Sequence, residues 1–213
     1  YAYNILKQNI MELRLKPGAC LKKEEISNEL SVSITPVREA FARLAEDELV
    51  DIFPQRGTYV SYINLEKVSQ AKFMREHLER AVIDLACKEF NDDYLIKLMR
   101  NVKMQQIYAE EEDYIKLYEL DNEFHQLIFE GCKKSDIWSS IQQVSTHLSR
   151  LRILSLAANF NRSDIISDHK LIINAIKMKN IQVAEDVIEK HISRINIDSD
   201  KLMKVYPDYF LDK

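Results

Sequence analysis

The chain is 213 residues long, 46% hydrophobic and 30% charged, with a formal net charge of −4. That is ordinary globular composition, enough for one large or two modest domains, each with its own core. It excludes a membrane-spanning chain, since no apolar run approaches the roughly twenty residues a spanning helix needs.

No secretory pattern opens the chain, and it begins mid-pattern at Tyr1, so a few native residues are expected to precede it. Cys20, Cys87 and Cys132 are odd in number and scattered, which reads as reduced thiols of a cytoplasmic protein. With only 3 Gly and 4 Pro, long helices and short connections are expected.

In chain order, Lys23 to Leu30 reads as a short helix, joined to the next by Ser31-Val32-Ser33. A second helix starts there. Ser33 or Thr35 can cap its orphan N–H groups, and Pro36 sits in the first turn, where its missing donor costs nothing. Val37, Ala40, Phe41 and Leu44 then recur at i, i+3, i+4, i+7, the stripe of a half-buried helix. Arg38 falls off that stripe near the helix N-terminus, where a recognition helix meets base edges and phosphates. Leu49 to Phe53 and Thr58 to Tyr62 are β-prone runs around Pro54-Gln55-Arg56-Gly57, a hairpin with Arg56 at its tip. Helix, helix and hairpin make a winged helix-turn-helix over residues 1–62. The segment carries eight Lys/Arg against nine Asp/Glu, so its basic face must be local: Lys22, Lys23, Arg38, Arg43 and Arg56. Non-specific DNA binding is expected to be weak and salt-sensitive.

From Leu65 onward the pattern is helical, with helices over about 65–89, 92–110, 113–131, 134–158, 163–178 and 181–199. Asp93, Ser135 and Ser163 lie near N-termini, where such residues cap. The expectation for 63–213 is an antiparallel six-helix bundle, making the chain mainly α. The tail from Met203, with Tyr206, Pro207, Tyr209 and Phe210, is too short for a domain and is left to pack on a neighbour or fray.

Asp121 and His125 are i, i+4 on one helix and share a face, while His169 and His191 lie on two others. One carboxylate and three imidazoles can converge as a first-row metal site with positions open for water or a ligand carboxylate. Taken singly, each histidine is more often a hydrogen-bonded core or surface residue.

The runs LKPGACL, VSITPVREAFARL and LVDIFPQRGTYV resemble the DNA-binding domain of the GntR family of bacterial transcription regulators. One departure stands out: where the family commonly carries Arg after the Ser of this turn, this chain has Ile34. An aliphatic side chain packs on a thymine methyl but cannot donate to guanine, which predicts an A·T-rich step in the operator. Arg75-Glu76-His77-Leu78-Glu79-Arg80-Ala81, then Asp121-x-x-x-His125, Asp168-His169 and Lys190-His191, resemble the FCD ligand-binding domain of the FadR subgroup. The helix count of six is closer to its VanR-like branch.

The resemblance implies a divalent metal held by Asp121, His125, His169 and His191, zinc first, with nickel, manganese or iron compatible. It also implies a small carboxylate effector. Arg75 and Arg152 are candidate effector contacts, because a guanidinium's forked donors match two carboxylate oxygens. A plain ion pair between Arg75 and Glu79 is the alternative. His147 is a further candidate, on a helix expected to line the cavity. DNA contacts fall to Lys23, Ser33, Ile34, Thr35, Arg38, Arg43, Arg56 and Gly57. A homodimer facing a roughly palindromic operator, with repression relieved by effector, completes the expectation. The rivals are a metal-dependent enzyme, or a sensor of the metal itself, with a DNA-binding domain attached.

Overall fold

Val37, Ala40, Phe41 and Leu44 are all buried, as their spacing requires. In the computed structural model, which describes residues 1–211, they lie on the third of ten α-helices. The first part runs α1 (Ala2–Met11), β1 (Cys20–Leu21), α2 (Lys23–Glu29), α3 (Ile34–Glu46), β2 (Val50–Phe53) and β3 (Gly57–Val60). The expected hairpin is present, with Val50 opposite Val60 and Phe53 opposite Gly57. Its turn uses left-handed backbone at Gln55 (φ 62°), and Gly57 adopts φ 121°, a region only glycine enters without strain. Ser33 occupies the N-cap of α3 but makes no side-chain capping bond.

Two elements here were not anticipated. Helix α1 buries Ala2, Leu6 and Ile10 against α3, and β1 adds an antiparallel third strand to give the order β1-β3-β2. Together they close a small core that also takes in Leu21, Ile26, Leu49 and Val60.

The second part comprises α4 (Leu65–Lys88), α5 (Asp92–Glu110), α6 (Tyr114–Gly131), α7 (Ser135–Gln143), α8 (Thr146–Ala157), α9 (Arg162–Lys177) and α10 (Ile181–Val205). Asn64 caps α4 by accepting from the N–H groups of Glu66 and Lys67. A separate large core runs from Ile63 to Phe210, with α10 packed along α4 and α5 along α6.

The six-helix bundle is present with its fourth helix broken. The helix expected over 134–158 is interrupted at Val144 and Ser145, where backbone bonds shorten to i→i+3 and the Ser145 hydroxyl donates to the Ile141 carbonyl at 2.6 Å. Such back-bonding competes with helix continuation. The count of six therefore depends on reading α7 and α8 as one.

As far as Leu211, the C-terminal tail packs on its own chain. A 3₁₀ turn, Pro207–Tyr209, leads Phe210 into the bundle core. The Ile63 N–H donates to the Tyr209 carbonyl at 2.9 Å, and the Leu211 N–H donates to Ile63. Among the described residues no helix is long and apolar enough to cross a membrane.

Candidate metal centre and nucleic-acid interface

The bundle brings Asp121 and His125 of α6, His169 of α9 and His191 of α10 together, all buried. One donor atom from each lies within 4.8 Å of the others. His125 Nε2 is 3.3 Å from His191 Nε2 and 3.9 Å from Asp121 Oδ2, and His169 Nε2 is 3.6 Å from Asp121 Oδ1. Metal–ligand bonds of about 2.1 Å require donor separations of roughly 3 to 4 Å. These three separations fall in that range, while the quartet as a whole spans up to 4.8 Å and must contract slightly around an ion.

The outward nitrogens strengthen the fit. His125 Nδ1 stands 2.6 Å from Glu79 Oε2, His169 Nδ1 is 2.8 Å from Gln105 Oε1, and His191 Nδ1 is 3.6 Å from Asp168 Oδ2. Oxygens at 2.6 and 2.8 Å call for Nδ1–H tautomers at His125 and His169, which leave each Nε2 lone pair pointing inward as a ligating histidine requires, while at His191 the 3.6 Å separation is too long for a hydrogen bond. His169 Nε2 is buried with no hydrogen-bond partner among the described residues. Burial holds all three imidazoles below their ordinary pKa, His191 at about 4 and His169 well below, so the neutral, ligating form is favoured. Burial by itself would raise the Glu79 carboxyl, but Arg75 and His125 hold it well below the usual carboxylate range. The residues present fit a divalent ion.

The outer groups are themselves anchored. Gln105 donates through Nε2 to Asn101 Oδ1 at 2.7 Å, which orients its carbonyl toward His169. Arg194 donates to Asp168 at 3.0 and 2.9 Å. Phe124 stacks on the His169 ring, with centroids 3.9 Å apart. Gln105 and Arg194 were missed from the sequence, because no local spacing links them to the histidines they serve.

Arg75 is 2% exposed, and its Nε donates to Glu79 Oε1 at 2.6 Å. The ion pair weighed as an alternative is present, yet Nη2 is buried without a hydrogen-bond partner among the described residues. Arg152 contacts Asp121 and donates to Asn122 Oδ1 at 2.8 Å. Burial, then repulsion from Arg75, lowers its pKa to about 9. A cavity of about 40 Å³ opens beside the quartet, lined by Arg75, Asp121, Arg152, His191, Arg194 and Asp198 among others.

His147 is elsewhere. It lies at the junction of the two parts, where its Nδ1 accepts from the Asn64 N–H at 3.2 Å and its Nε2 is 3.6 Å from Glu48 Oε2. Its place on α8 puts it on the side away from the cavity. The effector contact expected of it is therefore withdrawn.

On the first part, Ser33, Ile34, Thr35 and Arg38 are exposed around the start of α3, and Arg56 and Gly57 at the wing tip. Lys23, Arg38, Arg56 and Gly57 border one groove between α2, α3 and the hairpin. Arg43 departs from this set. Its guanidinium stacks on the Tyr3 ring of α1, 4.0 Å from the centroid, a partner invisible while α1 was unrecognised.

A winged helix-turn-helix joined to a helical bundle is the architecture of a DNA-binding transcription regulator. Residues 1–60 match the gntR family of bacterial regulatory proteins, and residues 72–194 match the FCD domain. The chain belongs to the GntR family of transcription regulators, in the group that carries an FCD domain, and is a regulator rather than an enzyme. It is 29% identical over 211 residues to the HTH-type transcriptional repressor RspR of Escherichia coli, spanning 99% of this chain and 92% of that protein. The gluconate operon transcriptional repressor of Bacillus subtilis is 26% identical over 182 residues, 82% of this chain and 74% of that protein. The fold is similar to that of McbR/YncC from E. coli, with a TM-score of 0.76 at 22% identity, covering 94% and 96% of the two chains.

Proposed function

We propose that this chain is a repressor whose affinity for DNA is set by a small carboxylate bound at a metal-containing pocket. Residues 1–62 serve as the reading head. Residues 63–213 serve as the effector and dimerisation domain, within which 212 and 213 lie outside the described residues. The observation that carries this reading is the convergence of Asp121, His125, His169 and His191 within 4.8 Å, together with the oxygens of Glu79, Gln105 and Asp168 that face the outer imidazole nitrogens at 2.6 to 3.6 Å.

Those four side chains would hold a divalent ion, zinc before nickel, manganese or iron, since three imidazoles and one carboxylate suit it. When bound, the ion supplies a Lewis-acidic charge for a carboxylate oxygen. Arg75, through its unpartnered Nη2, and Arg152 supply directed donors to the same anion. Arg38 addresses base edges or phosphate, Ser33 and Thr35 the backbone, Lys23 phosphate, and Arg56 with Gly57 the wing side. Ile34, 38% exposed, would meet a thymine methyl. One such head contacts too little DNA for specificity, so the working unit is a cytoplasmic homodimer on a roughly palindromic operator.

A second reading, direct sensing of the metal, draws support from the small cavity. About 40 Å³ leaves room for little more than an ion's own waters or a very short acid.

Metal analysis of protein purified without an affinity tag tests the core of the proposal. About one divalent ion per chain, lost in His169→Ala, is the expected result. Absence of metal from wild type, even after zinc addition, would overturn it. With metal in place, a thermal-shift screen of two- to six-carbon acids separates the carboxylate reading from the sensor reading. The latter predicts operator binding that follows free metal and ignores every acid.

A further inference from the structure

Helix α8 is buried on both sides, and its sides meet different halves of the molecule. Arg152 and Ser155, three residues apart, face the cavity beside the metal cluster. His147 and Arg150, also three apart, face the reading head. Residues two positions apart on an α-helix are separated by about 200° of rotation, so Arg150 and Arg152 project to opposite sides.

Arg150 is 0% exposed. Its Nη1 donates to the Ser61 hydroxyl at 2.9 Å and its Nη2 to the Ser61 carbonyl at 2.7 Å. Its Nε is buried without a partner among the described residues. Ser61 directly follows β3 and precedes the Asn64 cap of α4, so it lies in the link between the two parts. It is also tied into the head: its hydroxyl donates to the Glu48 carbonyl at 2.7 Å and its N–H to the Leu49 carbonyl at 3.0 Å. Glu48 adds a second tie, meeting Lys67 of α4 and standing 3.6 Å from His147.

A guanidinium taken wholly out of water, with its hydrogen bonds spent on one neutral residue, is a poor device for stability. An apolar side chain of similar size would fill the space at lower cost. A forked donor offers one defined orientation at one carbonyl and one hydroxyl. We infer that Arg150 is the positioning residue that sets the angle of the reading head on the bundle. We infer also that α8 carries changes at Asp121, through Arg152, to Ser61, through Arg150. This rests on the reading of the Asp121 cluster as the metal and effector site. Asp121 already touches Arg152, so whatever claims that carboxylate alters what holds Arg152. A packed helix moves as a body, and the response appears on its far side at Arg150.

Amide hydrogen exchange of segment 58–66, measured by mass spectrometry with and without one equivalent of zinc, tests this. Zinc uptake and thermal stability are recorded alongside. In wild type, zinc is expected to change exchange of the segment about ten-fold. In Arg150→Met, zinc uptake is retained, the segment exchanges about ten-fold faster at the outset, and the zinc response is gone. An Arg150→Met protein that keeps the zinc response overturns the inference, as does a wild type that takes zinc with no change at 58–66. If wild type takes no zinc, the metal reading fails instead, and the positioning role is then decided by the zinc-free exchange rate of Arg150→Met. Should that variant not fold, Ser61→Ala and Arg150→Lys carry the same comparison, since each removes part of the fork and leaves the site residues untouched.

Discussion

Glu79 Oε2 stands 2.6 Å from His125 Nδ1, while its other oxygen accepts from Arg75, so one buried carboxylate holds a candidate metal ligand and a candidate effector receptor in register. Glu79→Gln keeps the shape but removes the charge that orients His125. Metal affinity is expected to fall by about 10- to 100-fold although no ligand has been touched. Competition with a chromogenic chelator measures it. An unchanged affinity would reduce Glu79 to a structural counterion of Arg75.

Metal binding should also appear as stability. Zinc at about a hundred times its Kd stabilises the native state by roughly 2.7 kcal/mol. For a chain of this size that raises Tm by roughly 5–10 °C. Calorimetry with zinc, then with excess EDTA, checks the rise and its reversal. His169→Ala is expected to show neither.

At the reading head, Arg38→Ala is expected to weaken operator binding by about 1–3 kcal/mol, roughly 5- to 150-fold. Arg43→Ala is expected to do less at the DNA and to loosen the contact with Tyr3 instead. Ile34→Arg should shift the preferred base pair at one step from A·T toward G·C. Selection of bound sequences from a randomised pool decides this, and an unchanged preference would place Ile34 off the bases.

His147 makes the junction pH-sensitive. Burial, reinforced by Arg150, lowers its pKa from 6.5 to about 4. Between these values the unfolded chain binds the proton and the native one does not, so stability is full above pH 6.5 and is lost as pH falls toward 4. The loss from this group is on the order of 3 kcal/mol. Urea unfolding of metal-free wild type and His147→Gln at pH 7 and pH 4.5 tests it, the variant being expected to lose less over that interval. Equal losses would show that His147 does not carry the effect.

What could be read directly from residue order is what short-range periodicity encodes. The Val37, Ala40, Phe41, Leu44 stripe, the turn at Pro54 to Gly57, and the shared face of Asp121 and His125 all depend on residues within about two helical turns. His169 and His191 on two further helices completed a conceivable quartet, and the resemblance of their segments to the FCD domain singled it out. Helix α1 escaped notice although Ala2, Leu6 and Ile10 carry a helical repeat, and with it went the partner of Arg43. The break at Val144 and Ser145 escaped as well, because it turns on one hydroxyl choosing the carbonyl four residues back.

The remaining assignments belong to the packing of helices on one another. Gln105 on α5 meets His169 on α9, Arg194 on α10 meets Asp168, and Phe210 closes back on Ile63. Each pairing depends on how far one helix is rotated and slid against its neighbour, and that is settled by the whole core at once. The same holds along α8. Arg150 and Arg152 are two positions apart in one helix, yet one is buried against Ser61 and the other against Asp121. Nothing in SRLRIL distinguishes their tasks, because the elements they meet are brought alongside α8 from distant parts of the chain.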